Sequence, residues 1–462
     1  RTQLLIRTPA GAYYGIDGGT AVPAAYPPGS VPADEAAYGY RTIGVPGTVA
    51  ALSSALERHG SWPLQRVLAS AIDLARNGFT LTREEAARIA SDSAELAEFA
   101  GSRAHFLKPD GSTYRAGDWF VQPGLARTLE AIAREGPRAF YQGAIADSMA
   151  ADIQRHGGWV SRSDLAQYAA DESLIVRGSY RGYDLVGTYL PASGVTTIEA
   201  LQILENFDLG AIAGTAEWAD LVTRALLIAF DDRVTDFGAE EQKAARLVSK
   251  EHARERAARV RTQRDGKRAP VRIPAPQYEP AHTTHLSVAD MHGGVVALTQ
   301  SVGPNLGSKV AAPGLGFLYA ATMGYLGDVK PGHRPFSSQS PLIVTRNDTV
   351  RYVVGAAGAR RIISALVAVL SRMIDQRLSL AEAMAAPRLH ALPDRIDLEN
   401  RAKVRWRESH VADLRSFGYT VRLRDDAPYF ARIHGLEFDP ATLEFTGVAD
   451  PRWRGAAAAP RN

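Results

Sequence analysis

Cysteine is absent from all 462 residues, which excludes disulfides, zinc–thiolate centres and thiol nucleophiles together. The zero count does not choose between compartments. Long apolar runs are missing too. None approaches the ~20 residues needed to cross a bilayer, so no membrane-spanning segment is expected. Excess charge of one sign is also lacking: 53 basic and 50 acidic residues leave a formal +3. So near a balance offers no basic footprint for nucleic acid. There are no internal repeats, no long low-complexity tracts and no paired-carboxylate spacing, so neither a metal nor a cofactor is expected. What remains is 45% hydrophobic and 22% charged, an ordinary globular composition. The length suits one large domain or two ordinary ones. Gln3-Leu4-Leu5-Ile6-Arg7 reads as a strand rather than a signal peptide, so the chain is expected to begin inside the fold, any leader lost.

Helical spacing of apolar residues marks Val49–His59, Leu64–Asn77, Arg83–Ala100, Leu125–Glu135 and Ala144–His156. Thr82-x-x-Glu85, Ser161-x-x-Asp164 and Ser379-x-x-Glu382 carry the pattern of capping boxes. Alternation predicts a hairpin over Leu174–Val186, and helices follow near Thr197–Asn206 and Trp218–Thr235. The charged stretch Glu240–Val260 reads as a solvated surface helix. Beyond it, Thr284–Asp290 with Val295–Ser301, and Leu342–Thr345 with Val350–Gly355, form strand pairs. Arg360–Gln376 is an apolar helix, and short strands near Arg395–Glu399, Thr420–Arg424, Ile433–Phe438 and Leu443–Val448 finish the chain. Strand runs followed by helix runs in both halves predict a layered α+β architecture.

Three segments could carry chemistry. A proline-rich approach, Ala269 to Pro280, runs into His282-Thr283-Thr284-His285-Leu286-Ser287-Val288-Ala289-Asp290. A stiff segment meeting a strand at a threonine suits a chain that cuts itself between His282 and Thr283. Cleavage would place a hydroxyl and a free α-amine on one residue, the N-terminal threonine form of nucleophilic catalysis. Gly355-Ala356-Ala357-Gly358-Ala359-Arg360-Arg361 joins a strand to a helix. It could cradle an oxyanion on helix N-terminal amides, or be a tight turn only. Pro335-Phe336-Ser337-Ser338-Gln339-Ser340-Pro341 offers hydroxyls for a ligand carboxylate, or plain turn chemistry. His282 and His285, three apart on an extended strand, point to opposite faces and do not suit one ion.

Together and in order, these segments resemble the γ-glutamyltransferase family of N-terminal nucleophile hydrolases. The family's Thr-Thr-His-Tyr-Ser-Val is similar to Thr283-Thr284-His285-Leu286-Ser287-Val288. Its Arg-Pro-Leu-Ser-Ser-Met-Ser-Pro resembles the stretch Arg334 to Pro341, and its Gly-x-x-Gly-Gly-x-Arg-Ile resembles Gly355 to Ile362. Weaker matches lie at Pro46–Ala50, Ala75–Phe79, Ile203–Leu209 and Ala386–His390, so the likeness runs nearly end to end. Against that pattern, several dozen N-terminal residues are expected to be missing.

The resemblance implies a four-layer αββα sandwich and self-cleavage into a large subunit, residues 1–282, and a small subunit, residues 283–462. Both would form one body, with a homo-oligomer of such heterodimers left open. Thr283 would be the nucleophile and Ser301 the second hydroxyl of the family's pair, with Gly358 and Ala359 holding the oxyanion. Ser337 and Ser338 would contact a substrate carboxylate. The rest of the family's glutamate grip does not carry over. Its arginine falls on Gly19, its asparagine on Gly303, and its amide and aspartate on Thr322 and Tyr325. Charge-assisted hydrogen bonds of this kind contribute ~1.5–3 kcal/mol each, so γ-glutamyl binding should be weaker by orders of magnitude. The family's lid loop is cut to about Gly327–His333. A repurposed small-molecule hydrolase follows. One branch of the family, in actinobacterial antibiotic pathways, cleaves a carbon–carbon bond to remove an oxalyl unit from a pyrroline carboxylate. Cephalosporin or glutaryl acylases, a conventional γ-glutamyl enzyme and a non-catalytic binding descendant are the alternatives. A biosynthetic member would be cytoplasmic and a conventional one secreted or periplasmic.

Overall fold

Leu4-Leu5-Ile6 is a continuous apolar run, and all three residues are buried in the strand Thr2–Arg7. A strand apolar on both faces belongs in the middle of a layered structure. The computed structural model describes residues 1–27, 31–32, 35–235, 238–264, 282–325, 329–426 and 429–459. In it Thr2–Arg7 is the central strand of a five-stranded antiparallel sheet ordered Asp171–Glu172, Tyr13–Gly18, Thr2–Arg7, Val295–Gly303, His282–Ala289. A second antiparallel sheet runs Glu444–Ala449, Arg432–Asp439, Thr349–Ala357, Leu342–Arg346, Tyr183–Thr188, Ile175–Tyr180. Each sheet mixes strands from before and after residue 282.

The sheets face each other across Leu5, Val295 and Ala297 of the first and Val186, Ile343 and Val353 of the second. On the first sheet's other face, Leu4, Ile6 and Ile16 pack on Ala51 of the helix Thr48–His59. The second sheet is covered by Gly194–Leu204 and Arg361–Asp375. Arg361 through Met373 are buried without a break, because Ala216–Val234 packs over that helix from outside. Four layers result, helix–sheet–sheet–helix, and the expected αββα α+β sandwich is what forms. None of the described helices is long and apolar enough to cross a membrane.

All three capping boxes form, at Thr82/Glu85, Ser161/Asp164 and Ser379/Glu382. Two expectations need correcting. Arg83–Ala100 is not one helix: it breaks at Asp92, whose carboxylate accepts from Asn305 Nδ2 at 2.9 Å and pairs with Lys309. Glu240–Val260 is not a single solvated helix but Glu240–Leu247 and Lys250–Arg264, and His252, Ala253, Ala257 and Val260 of the second are buried. The proline-rich approach to His282 and residues 327–328 of the shortened lid lie outside the described residues.

Candidate active site

His282–Ala289 is an edge strand paired with Val295–Gly303, and the register shifts between His282 and Thr283: His282 faces Gly303 while Thr283 faces Ser301. Such a bulge re-aims side chains at a sheet edge. Thr283 Oγ1 donates to Ser301 Oγ at 3.1 Å, and Ser301 Oγ donates to the His282 carbonyl at 3.2 Å. The Gly303 amide donates to the same Ser301 oxygen at 3.1 Å. One donor and two acceptor positions exhaust a hydroxyl, so the direction of the relay is fixed. Gly303 has φ 92°, a backbone that favours glycine and turns its N–H back onto Ser301. The relay ends on the carbonyl that precedes the threonine.

His285 anchors the strand from the inside. Its Nδ1 lies 2.8 Å from Thr299 Oγ1 and its Nε2 3.0 Å from Ser287 Oγ. Ser287 Oγ donates to the Val353 carbonyl at 3.0 Å, which assigns the imidazole proton to Nε2. Burial, then repulsion from His434, pushes the His285 pKa down to about 3, so the ring is neutral. It occupies the space a side chain at Gly355 would need: a Cβ there would lie 2.2 Å from His285 Cε1. Ser287 meets Val353 and His285 meets Gly355, so the strands run in opposite senses and two more residues carry Thr283 toward Ala357 and Gly358. Gly358 has φ 144°, and a Cβ on it would sit 2.7 Å from Ala431 Cα. Ala359 has φ 53°, and the helix Arg361–Asp375 starts immediately beyond. The glycine turn thus continues the strand that packs against His282–Ala289, with a helix N-terminus just beyond it.

The substrate-side positions differ from one another. Gly19 donates its amide to Asp17 Oδ1 at 2.6 Å and accepts from the Tyr168 hydroxyl at 2.6 Å. A Cβ there would meet Asp17 Oδ1 at 2.8 Å and Arg334 Cδ at 3.5 Å. Arg334 fills the neighbourhood, paired with Asp17 at 3.3 Å and Asp171 at 3.1 Å and lying over the Tyr168 ring. Thr322 is buried and donates to Thr20 Oγ1 at 3.1 Å. Tyr325 ends a short 3-10 helix, and its side chain lies outside the described residues. Ser337 is buried with its hydroxyl donating to Gln339 Oε1 at 3.1 Å, while Ser338 is half-buried. Of the two serines, Ser338 is the more accessible to a ligand.

Sequence reasoning missed two groups. Arg233 Nη2 donates to the Ser337 carbonyl at 2.9 Å, and its guanidinium lies 5.3 Å from the Phe336 ring centre. Burial, then the charges of Arg360 and Arg1, push its pKa down to about 10. Three guanidinia therefore gather beside the serine turn. The other group is a buried network. His252 Nε2 lies 2.9 Å from Glu199 Oε1 and 3.1 Å from Asp232 Oδ2. Arg256 grips both oxygens of Asp232, at 2.5 and 2.9 Å. Burial, then Asp232, raises the Glu199 pKa well above the usual carboxylate range. Against the upward push of burial, bonds from His252 and Arg256 bring Asp232 to about 2. Three metal-type ligands converge here, but Arg256 already occupies the aspartate, and the cluster reads as an ion network joining three helices. Its members lie up to 57 positions apart (199 to 256), so no spacing signal could have found it.

Two facing antiparallel sheets between helical layers, with a hydroxyl pair at the head of an edge strand, define the αββα fold of the N-terminal nucleophile hydrolases. The chain belongs to the γ-glutamyltranspeptidase family, whose sequence profile matches residues 3–460. It is 34% identical over 389 residues to the glutathione hydrolase proenzyme of Escherichia coli strain K12, a match covering 77% of this chain and 66% of that one. The Acylase ACY 1 proenzyme of Pseudomonas sp. strain V22 is 34% identical over 373 residues, covering 78% and 66% respectively. The chain thus spans just under two thirds of the length of these relatives. Among solved structures, the cephalosporin acylase from Bacillus halodurans superposes with a TM-score of 0.84 at 25% identity, over 98% of this chain and 87% of that one.

Proposed function

We propose that the chain is a self-processing hydrolase in which Thr283 is the nucleophile. The observation that carries this is the relay from Thr283 Oγ1 through Ser301 Oγ to the His282 carbonyl. Thr283 Oγ1 attacks that carbonyl carbon, Ser301 steadies the developing oxyanion, and the C–N bond breaks as the nitrogen takes up the hydroxyl proton. Water then hydrolyses the resulting ester, leaving a His282 carboxylate and a Thr283 with a free amine. Residues 1–282 and 283–462 stay together as the two subunits. In each later turnover the Thr283 hydroxyl attacks a substrate carbonyl, its own amine accepts the proton, and the amides of Gly358 and Ala359 receive the oxyanion.

The substrate is a small carboxylate other than a γ-glutamyl amide. Gly19 leaves no room for a long side chain, Thr322 is engaged with Thr20, and Arg334 is neutralised by Asp17 and Asp171. Ser338, with Arg233 behind its neighbour, is the remaining carboxylate contact. The reaction it is repurposed for is hydrolysis of a carbon–carbon bond, removing an oxalyl unit from a pyrroline carboxylate. The ring carries the departing electron pair as an enamine, the leaving carbon takes the proton held by the Thr283 amine, and water then hydrolyses the oxalyl–Thr283 ester to release oxalate and free enzyme. A second reading, amide hydrolysis releasing a dicarboxylic acyl group, is favoured by the end-to-end likeness to a cephalosporin acylase.

The test is one panel of three substrates: a γ-glutamyl anilide, a glutaryl anilide, and a pyrroline-2-carboxylate bearing an oxo-acid side chain. Thr283→Ala should stay one intact chain and turn over none. Wild type should split and prefer one of the latter two; γ-glutamyl turnover as fast as the others refutes the specificity, and an active unsplit wild type refutes the mechanism.

A further inference from the structure

The helix Arg361–Asp375 begins at the glycine turn after Thr349–Ala357 and ends at a cavity of about 340 Å³. At ~1.5 Å per residue, Arg372 lies roughly 17 Å along the axis from the helix start. The cavity belongs to no part of the site described above. Its volume falls near the lower end of small-molecule sites, about 300–1,000 Å³.

Its lining is basic. Arg372 comes from the last turn of that helix and Gln376 is its C-cap; Arg405 ends the two-residue strand Val404–Arg405, Trp406 and Arg407 follow in the loop, and His410 comes from the helix Glu408–Ser416. No carboxylate lines it. Two helices start at its wall: Ala216–Val234, whose N-cap is Thr215, and Glu408–Ser416, whose N-cap is Arg407. Their two positive dipole ends outweigh the single negative end that Arg361–Asp375 presents to the same cavity.

Arg372 sets this cavity apart from an incidental surface hollow. It is 3% exposed, yet it has no carboxylate partner among the described residues. Nη2 donates to the Pro387 carbonyl at 2.7 Å, the group stacks over Trp218 at 4.5 Å, and Nη1 is buried without a hydrogen-bond partner. Gln376 Nε2, one turn on, is likewise unpartnered. The nearby acids are taken: Asp450 by Arg388 and Arg452, Glu399 by Arg452 and Arg401. Burying a cation costs heavily unless something compensates it, and here Glu399 and Asp450, already shared among Arg388, Arg452 and Arg401, leave Arg372 short of a full counter-charge. Burial, then Arg388 and Arg452, lowers the Arg372 pKa to about 9 against the weaker opposing pull of Glu399. At the rim, Arg405 and Arg407 are exposed and have no ion pair among the described residues.

We infer that this cavity is a second ligand site, taking a small anion whose carboxylate or phosphate group binds Arg372 and the rim arginines while its apolar part lies on Trp406. The site is independent of the Thr283 reading and binds whether or not the chain has split.

Thermal melting and titration calorimetry of the full chain test it, with inorganic phosphate and succinate as probes and chloride at matched ionic strength as the control. Wild type should show saturable stabilisation by at least one probe; phosphate alone assigns a phosphate ligand, succinate alone a carboxylate. Arg372→Met should abolish the effect. The rim double variant Arg405→Ala/Arg407→Ala, exposed and therefore safe for folding, should weaken the affinity about tenfold or more, the loss expected for a charge-assisted bond. No stabilisation beyond chloride, or an equal response in the rim variant and wild type, would overturn the inference even if Arg372→Met does not fold.

Discussion

Replacing Ser301 with alanine removes three bonds at once: the acceptor of Thr283 Oγ1, the donor to the His282 carbonyl and the acceptor of the Gly303 amide. The bond to the carbonyl strengthens as its oxygen becomes an oxyanion, and loss of one such donor costs about 2.7–4 kcal/mol, or ~10²–10³ in rate. Loss of the Thr283 contact adds roughly 0.5–1.5 kcal/mol through misorientation. Stability should fall far less, by about 1 kcal/mol, because Ser301 is half-buried and water can reach the Gly303 amide. Together the two losses, about 3.2–5.5 kcal/mol, predict an intact fold that splits roughly 200-fold to 10⁴-fold more slowly. Ser301→Thr keeps the hydroxyl and should stay within roughly tenfold of wild type. The assay is a time course of intact mass after purification, with the melting temperature measured on the same samples. Unchanged splitting in Ser301→Ala, or equal failure of the alanine and threonine variants, would refute the relay.

Two further outcomes test how the strand is held. Gly355→Ala puts a methyl 2.2 Å from His285 Cε1. That overpacking should cost about 1–3 kcal/mol and slow splitting, and an unchanged melting temperature would show that the imidazole is not wedged. The second concerns pH. His285 has a pKa near 3 when folded and His390 lies well below its usual value, both through burial, whereas the unfolded chain titrates near 6.5. Their contribution is full above about pH 6.5 and is lost as pH falls toward 3, because only the unfolded chain takes up the protons. Urea unfolding between pH 7 and 5 should lose up to ~1.4 kcal/mol per pH unit for each imidazole. His285→Asn should make the slope shallower, and an identical slope in that variant would remove His285 from the account.

Local chemistry was the legible part. Capping boxes, hairpin alternation and the threonine strand are written in residues at most a few positions apart, and each formed where its pattern lay. Arg360–Gln376 was legible because a helix buried all round is mostly apolar, Arg361 and Arg372 being its exceptions. Failures came where a charge meets a distant partner. Glu240–Val260 looked solvated because nothing in it announces that His252 and Arg256 turn inward to Glu199 and Asp232. Asp92 breaks a helix because Asn305 and Lys309 wait more than two hundred positions away. At the site, the loss of an arginine at Gly19 was visible, but not that Arg334 already fills the adjoining space.

The interleaving of strands on either side of residue 282 has a consequence for the life history of the molecule. Each sheet closes only with contributions from both segments, so neither segment can complete a sheet alone. While the chain is whole, the two segments find each other as parts of one tethered polymer. Once severed, they would have to meet as separate solutes, without the tether's effective concentration. Under the proposed splitting, folding comes first and cutting second. The bond before Thr283 would serve as a disposable assembly jig, and heat or urea should unfold the processed protein far less reversibly than the uncut Thr283→Ala chain.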